Sequence, residues 1–117
     1  MDCRVGIDLE EMDRFRALSL TDEFYSLTFT KREITESKNA REVRQFFASR
    51  FAAKEAVIKA FSCLGKTFVH NEIEILRSRV GGIEVFVKNM PDRYYCDVSM
   101  SHTKSLVTAV AIVYKDK

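Results

Sequence analysis

Residues 41–61 constrain the fold more than any other segment of the chain. The segment contains no glycine or proline, and its apolar side chains recur at steps of three and four residues, as in an amphipathic helix. These side chains are Val43, Phe47, Phe51, Val57, Ile58 and Phe61. We predict one long central helix, followed by a stop at Gly65, where glycine adopts a left-handed turn at little cost. At 117 residues the chain has the length of a single domain, residues 1–117.

The second half of the chain has the periodicity of strands. Apolar and acidic residues alternate over 72–75, a second alternating run follows at 85–87, and the glycines at 81–82 predict the turn between them. Residues 95–100 and 106–114 predict two more strands. Because these strands follow one another directly, we expect antiparallel pairing.

The N-terminal part combines one strand with short helices. Residues 3–9 alternate as a strand, with Asp8 near its end. Acidic residues at 10 and 11 suit a helix N-terminus and predict a helix over 10–18, followed by a break at 19–22. Two more helix starts are predicted, one near residue 24 and one at the capping box of Thr30 and Glu33. The whole order predicts an α+β domain, a long helix packed on an antiparallel sheet.

Composition excludes several classes of function. Hydrophobic residues make up 46% and no run of apolar residues is long enough to span a bilayer, so we expect no membrane segment. A net charge of +2 gives no reason to expect nucleic acid binding. Three cysteines without CxxC spacing, Cys3, Cys63 and Cys96, are expected to be reduced thiols. The N-terminus lacks the order of a secretory signal, which predicts a cytoplasmic protein.

Charged residues of the long helix form two pairs at helical spacing. Glu55 and Lys59 are four residues apart and share one face, and Arg50 and Lys54 form a second such pair. A solvated face with intrahelical ion pairs is the simpler interpretation of this pattern. Small residues between the pairs would let another backbone or a flat ligand approach; they are Ala52, Ala53, Ala56 and Ala60.

Two carboxylates are candidates for a metal site. Asp8, after the first strand, and Glu55, on the helix, could together hold magnesium, which takes one or two protein carboxylates and completes its shell with phosphate oxygens and water. This site would imply a phosphate substrate. The alternative for Asp8 is the N-cap of the following helix.

A polar tract at 101–105 lies between the last two predicted strands. The hydroxyl groups of Ser101 and Thr103, the imidazole of His102 and the ammonium of Lys104 are donors suited to an anion. A structural role for the histidine is the alternative. The sequence contains no Walker A, GxGxxG, GxSxG or HExxH motif, which argues against those nucleotide-binding and hydrolase classes.

Three segments together, 6–8, 50–61 and 98–103, resemble the three blocks of the holo-acyl-carrier-protein synthase family in order and spacing. The resemblance covers nearly the whole chain. It implies an α+β fold, a homotrimer with active sites between subunits, and transfer of 4'-phosphopantetheine from coenzyme A to a serine of an acyl carrier protein of fatty acid biosynthesis. It also implies magnesium as cofactor and adenosine 3',5'-bisphosphate as the second product.

The resemblance also implies roles for single residues. Asp8 and Glu55 resemble the magnesium ligands, and Lys59 resembles a lysine beside the reacting phosphate. The positions that resemble coenzyme A contacts are Arg50, Lys54, Ser101, His102 and Thr103. Arg14 matches a basic position that meets the acidic recognition helix of the carrier protein. The base that deprotonates the carrier serine stays open among Glu55, Asp8 through a metal-bound water, and Lys59.

The chain departs from the family pattern at two places. Ser62-Cys63-Leu64-Gly65 replaces the usual Gly-Thr-Gly stretch, and Asp22 and Glu23 stand where relatives often present a basic residue to the carrier protein. Two alternatives therefore accompany the transferase prediction. One is a magnesium-dependent phosphatase or nucleotide hydrolase that uses the same carboxylates, and the other is an inactive coenzyme A binding scaffold.

Overall fold

A computed structural model describes residues 3–15 and 23–116 of the chain. Three helices and five strands form its regular elements, apart from the 3-10 helices Met12–Phe15 and His70–Glu72. The helices are α1 (Glu23–Thr28), α2 (Lys31–Ser37) and α3 (Val43–Ser62), and the strands are β1 (Cys3–Glu11), β2 (Ile73–Arg77), β3 (Ile83–Val87), β4 (Tyr94–His102) and β5 (Leu106–Lys115). Among these described residues, no helix is long and apolar enough to cross a membrane.

The strands form two antiparallel sheets, and α3 packs on the larger one. The larger sheet has the order β1-β5-β4, and β2 pairs with β3 in the smaller. Helix α3 lies against β1 and β5 and also contacts β2. The predicted α+β architecture, with a long helix on antiparallel strands, is therefore confirmed.

Close contact between β1 and α3 depends on small residues. A Cβ atom at Gly6 would lie 1.9 Å from the carbonyl oxygen of Ala56 and 2.8 Å from the amide nitrogen of Ala60, so only glycine fits there. Ala52, Ala53, Ala56 and Ala60 are fully buried. At Ala56 and Ala60, the small residues therefore serve the approach of a backbone, one of the two possibilities that the sequence left open.

Local signals in the sequence predicted several element boundaries. Thr30 and Glu33 form the capping box of α2, in which each side chain accepts a hydrogen bond from the other residue's amide. Helix α3 ends at Ser62, and Gly65 follows with a φ of +73°. Gly81 and Gly82 also have positive φ, at the turn between β2 and β3.

The prediction of a helix over 10–18 is wrong at its start. Glu10 and Glu11 belong to β1, which pairs with β5 as far as Leu106, and helical structure begins only at Met12. Pairing with β5 satisfies the backbone of these residues better than a helix start could. Asp8 lies inside β1 opposite Ala109, so it is not an N-cap. The remainder of that helix and the break at 19–22 lie outside the described residues.

The outer face of the larger sheet, which points away from α3, is apolar and uncovered. Val5, Ile7 and Leu9 of β1 are 57%, 63% and 62% exposed, and Val110 and Ile112 of β5 lie beside them. The opposite face of the same strands carries buried residues such as Gly6, Ala109 and Ala111. Because side chains alternate along a strand, one face of the larger sheet packs on α3. The other face is apolar and has no partner within the described part of the chain.

Candidate functional site

Charged side chains meet where α3 crosses β1. The period of two along β1 places Gly6, Asp8 and Glu10 on the face toward α3. Glu55 and Lys59, four residues apart on α3, are turned toward this strand. The absent side chain of Gly6 brings the helix close enough for these charges to interact.

Asp8 and Lys59 form the centre of the cluster. The Lys59 Nζ donates to Asp8 Oδ1 at 3.1 Å and to the carbonyl oxygen of Ile7 at 2.9 Å. Asp8 is 11% exposed, whereas Lys59 is 53% exposed, so the lysine bounds the cluster on its solvent side. Asp8 Oδ2 is buried and has no hydrogen-bond donor among the described residues while Glu10 is ionised. A cation beside this oxygen would compensate the cost of its burial.

Glu10 is a member of this cluster that the sequence analysis missed. The pKa of Glu10 is raised to about 7, first by burial and then by the neighbouring Asp8 carboxyl, while Arg14 opposes the shift through an ion pair. The negative charge of Glu55 also contributes, which places Glu55 within electrostatic range. The signal was present in the sequence, because residues 8 and 10 of one strand share a face. Assigning residue 10 to a helix concealed it.

His70 is the second residue that the sequence analysis missed. Its Nε2 lies 3.6 Å from Glu55 Oε1, and its ring stacks on Phe51 with 5.1 Å between centroids and 15° between planes. Glu55 and His70 are separated by the last seven residues of α3 and by the segment 63–69 that follows it. Because no periodicity relates them, the sequence contained no signal for this contact.

Arg50 and Lys54 belong to a different face of α3, the one that contacts α2. Arg50 lies 3.7 Å from Glu36, and Lys54 lies 2.7 Å from Glu33. Because Glu33 and Glu36 are three residues apart on α2, the two pairs form parallel ion pairs between helices. Arg50 and Lys54 therefore lie on one face of α3, and Glu55 lies on another face of the same helix.

The charge of Lys54 is paired inside the protein, so its predicted contact with coenzyme A stays a prediction without support from the geometry. Its side chain and that of Glu33 are both fully buried, and its Nζ also donates to the carbonyl oxygens of His70, at 2.9 Å, and Ile73. Burial lowers the pKa of Lys54, and the Glu33 carboxylate opposes that shift. With three partners inside the protein, this ammonium has no donor left for a phosphate.

Arg50 remains open to an additional ligand. Its guanidinium lies 4.1 Å from the centroid of Phe46 and bonds Ser49 at 3.3 Å, but its Nε is buried without a partner among the described residues. The side chain lines a cavity of about 400 Å³ together with Arg41 and Arg77. An anion would satisfy Arg50 and the two arginines beside it.

The predicted anion tract lies at the end of the larger sheet. Ser101 and His102 end β4, and Thr103 begins the turn to β5, where its amide donates to the carbonyl oxygen of Leu106 at 2.8 Å. His102 and Thr103 line a cavity of about 270 Å³ that shares Glu42 and Gln45 with the Arg50 cavity. Ser101 pairs with Thr108 on the outer face of the sheet, away from Asp8.

Arg14 is on the 3-10 helix that follows β1. It is 57% exposed, it pairs with Glu10, and its guanidinium lies 5.7 Å from the centroid of Phe51. The side chain is therefore accessible to a partner and close to the Asp8 cluster.

The carboxylate oxygens of this cluster suit a hard cation whose remaining ligands are phosphate oxygens. Among the described residues, no group of three or more acidic, histidine or cysteine side chains is arranged to hold a metal. Asp8 and Glu55 are two carboxylates, and the buried Asp8 Oδ2 lacks a partner. Magnesium is bound by one or two carboxylates when substrate phosphates supply other oxygens, so the residues suit this ion.

Known proteins are similar to this chain over nearly its whole length. A family model described as the 4'-phosphopantetheinyl transferase superfamily matches residues 4–111. A holo-[acyl-carrier-protein] synthase of Caldicellulosiruptor bescii is 38% identical over 95% of this chain and 97% of that protein. One of Ruminiclostridium cellulolyticum is 34% identical over 97% of this chain and 92% of that protein.

Solved structures are similar over the same length. A "Chronobacterium ammoniagenes ACPS-CoA complex" aligns with a TM-score of 0.83 and 26% identity, covering 100% of both chains. A holo-(acyl-carrier-protein) synthase of Bacillus anthracis in complex with CoA (3',5'-ADP) aligns with a TM-score of 0.79 and 25% identity, covering 97% of this chain and 96% of that one.

Proposed function

Because the chain belongs to the 4'-phosphopantetheinyl transferase superfamily, we infer that it transfers 4'-phosphopantetheine from coenzyme A to a serine of apo acyl carrier protein. The products are holo carrier protein and adenosine 3',5'-bisphosphate. The observation that carries this function is the meeting of Asp8, Glu55 and Lys59 where α3 crosses β1. We propose that the transferase domain comprises residues 1–117 and serves fatty acid biosynthesis.

Asp8 and Glu55 are the proposed holders of a magnesium ion. When bound, the ion would supply positive charge to the pyrophosphate of coenzyme A. The partnerless Asp8 Oδ2 supports this role, because a buried carboxylate oxygen without a donor is costly unless a proton or a cation compensates it.

Lys59 is proposed to neutralise charge on the reacting phosphate. Its exposed ammonium already lies 3.1 Å from Asp8, at the solvent side of the cluster. The serine oxygen of the carrier forms a bond to the β-phosphorus as the bond to the adenosine 3',5'-bisphosphate oxygen breaks, and negative charge develops on that leaving oxygen. A fixed ammonium beside the phosphate stabilises this charge.

Glu55 is proposed as the base for the serine proton in addition to holding the cation, because a carboxylate has two oxygens with about four lone-pair sites. Lys59 donates to two oxygens and Asp8 is already engaged with Lys59, whereas Glu55 has only His70 within ion-pair distance among the described residues. Its carboxylate is 29% exposed, so an incoming hydroxyl can reach it.

The remainder of coenzyme A is proposed to follow the cavities around the start of α3. Arg50 offers an unbonded Nε, and His102 and Thr103 line the adjoining cavity. Ser101 lies on the outer face, so it would meet coenzyme A only where a second subunit covers that face. Arg14 is proposed to meet the acidic helix of the carrier protein.

A homotrimer is proposed through the outer face of the larger sheet. Val5, Ile7 and Leu9 present an apolar surface that is costly to leave in water. Light scattering should therefore give three copies for the parent and a smaller species for Ile7→Lys. Val80→Lys is the matched control, because Val80 is 96% exposed on the turn after β2. A monomeric parent would contradict the trimer. The cytoplasmic location stays a prediction of the sequence.

The transfer is tested by mixing the protein with coenzyme A, magnesium and apo carrier protein, then weighing the carrier by mass spectrometry. We expect a gain of one phosphopantetheine on the carrier serine. Glu55→Gln should abolish the gain and leave the unfolding midpoint unchanged, whereas Glu84→Gln, an exposed carboxylate on β3, should behave like the parent. No added mass on any carrier tested would refute the transferase, and phosphate release without a carrier would support the hydrolase alternative.

A further inference from the structure

We propose that His70 is a positioning residue for Glu55, with its Nε2–H donating a hydrogen bond that fixes the Glu55 carboxylate for cation binding. The inference rests on the proposed role of Glu55 in the magnesium site. It adds a residue that the sequence pattern did not indicate.

The His70 ring is oriented by stacking on Phe51, and the His70 backbone is anchored by a hydrogen bond from Lys54. Its face stacks on Phe51, at 5.1 Å between centroids, and its carbonyl oxygen accepts a hydrogen bond from Lys54 Nζ at 2.9 Å. Phe51 precedes Glu55 by one helical turn and Lys54 is its direct neighbour. Both contacts come from α3, so the backbone of His70 is held against the helix that carries Glu55, and Phe51 sets the plane of the ring.

The polar edge of this ring lacks a partner. The Nε2 atom is buried and has no hydrogen bond within the described part of the chain, although a third of the His70 side chain is exposed. Glu55 Oε1, at 3.6 Å, is the nearest carboxylate oxygen to it by ion-pair distance. A buried donor without an acceptor is costly, and a shift of under about 1 Å produces a charge-assisted hydrogen bond.

Fixing the Glu55 carboxylate has a physical benefit for cation binding. A glutamate side chain loses rotamer freedom when it binds an ion, and that cost reduces affinity. Donors that contact the ligating carboxylate orient it in advance, and their removal lowers metal affinity by about 10- to 100-fold. His70 lies within ion-pair distance of Glu55 and is placed to do this.

The main experiment measures Mn²⁺ affinity by electron paramagnetic resonance in the presence of coenzyme A. His70→Phe retains a ring on Phe51 and loses the donor, so we expect its Mn²⁺ dissociation constant to rise by about tenfold or more. His70→Gln retains an N–H at a similar reach and should recover most of the affinity. Urea unfolding of both variants excludes a loss of fold as the cause. Parent-like Mn²⁺ affinity in His70→Phe would overturn the proposal.

A second measurement does not depend on the metal. Nitrogen chemical shifts report which ring nitrogen of His70 carries the proton, and the chain contains only 2 histidines, so assignment is direct. We expect the Nε2–H tautomer in the metal-free parent, and a shift of Nε2 in Glu55→Gln. A ring protonated at Nδ1, or nitrogen shifts identical in the two proteins, would refute the contact. A third outcome is that the contact is present but Glu55→Gln binds Mn²⁺ like the parent. The metal role of Glu55 would then be refuted by Mn²⁺ affinity, and the positioning proposal would fail with it although the nitrogen shifts confirm the contact.

Discussion

Replacing Lys54 by methionine tests whether this residue is structural or binds coenzyme A. Methionine has a similar length and no charge, so Lys54→Met removes the ammonium and leaves the volume nearly unchanged. Glu33, which is fully buried, then has no cation, and the carbonyl oxygens of His70 and Ile73 lose a donor. The fold is expected to lose stability.

The magnitude follows from the burial of both partners. Breaking a buried pair by removing one partner costs about 3–5 kcal/mol, because the remaining charge is uncompensated. A domain of this size is stable by about 5–15 kcal/mol, so Lys54→Met should lose a large part of its stability. Glu33→Gln together with Lys54→Met should lose less than the sum of the two single changes, since the double variant leaves no unpaired charge.

The assay is urea unfolding at a fixed protomer concentration, because assembly makes stability depend on concentration. Lys66→Met, at an exposed lysine beyond α3, is the control and should change stability by no more than about 0.5 kcal/mol. Initial rates give the Michaelis constant for coenzyme A, which we expect to be unchanged in Lys54→Met under conditions where it is folded. A loss below about 1 kcal/mol combined with a raised Michaelis constant for coenzyme A would refute the structural role.

Three further predictions concern β1 and the residues that follow it. Gly6→Ala places a Cβ atom 1.9 Å from the carbonyl oxygen of Ala56, so it should cost at least about 1–3 kcal/mol in urea unfolding; parent-like stability would contradict the close packing. Burial, followed by Asp8, raises the pKa of Glu10 from 4.5 to about 7, so the folded protein retains a proton that the unfolded chain releases. Without added cation, stability should therefore fall as the pH rises from about 4.5 to about 7, and Glu10→Gln should flatten this slope; equal slopes would rule the assignment out. Arg14→Glu should raise the Michaelis constant for the carrier protein and leave that for coenzyme A unchanged, whereas an unaltered carrier constant would remove Arg14 from the docking surface.

Local signals in the sequence determined most elements of the fold. The apolar stripe of residues 43–61 predicted α3, the capping box of Thr30 and Glu33 predicted the start of α2, and alternation predicted β1, β2 and β3. These signals act between residues that are neighbours along the chain, so periodicity and capping chemistry are sufficient to detect them. The boundary at Glu10 failed because an acidic pair suits a helix start in isolation, whereas here the backbone pairs with β5.

In the candidate site, too, the sequence determined some relations between residues and the tertiary structure determined the others. Sequence spacing established that Glu55 and Lys59 share a face of α3, and that Arg50 and Lys54 share another. It did not determine which layer each face meets, because helical spacing relates residues of one helix only. The tertiary structure decided that Lys54 lies against Glu33 in the interior and that Lys59 lies against Asp8 at the surface.

The contact between His70 and Glu55 could be found only in three dimensions. After α3 the chain turns back toward the helix, and the ring of His70 stacks on Phe51. Residues brought together by chain reversal have no fixed spacing, so a single sequence contains no periodic record of them. The sequence alone therefore determined the helix, the strands and the chemical types available, whereas packing between layers decided which of those side chains meet, because burial and charge pairing act across space and not along the chain.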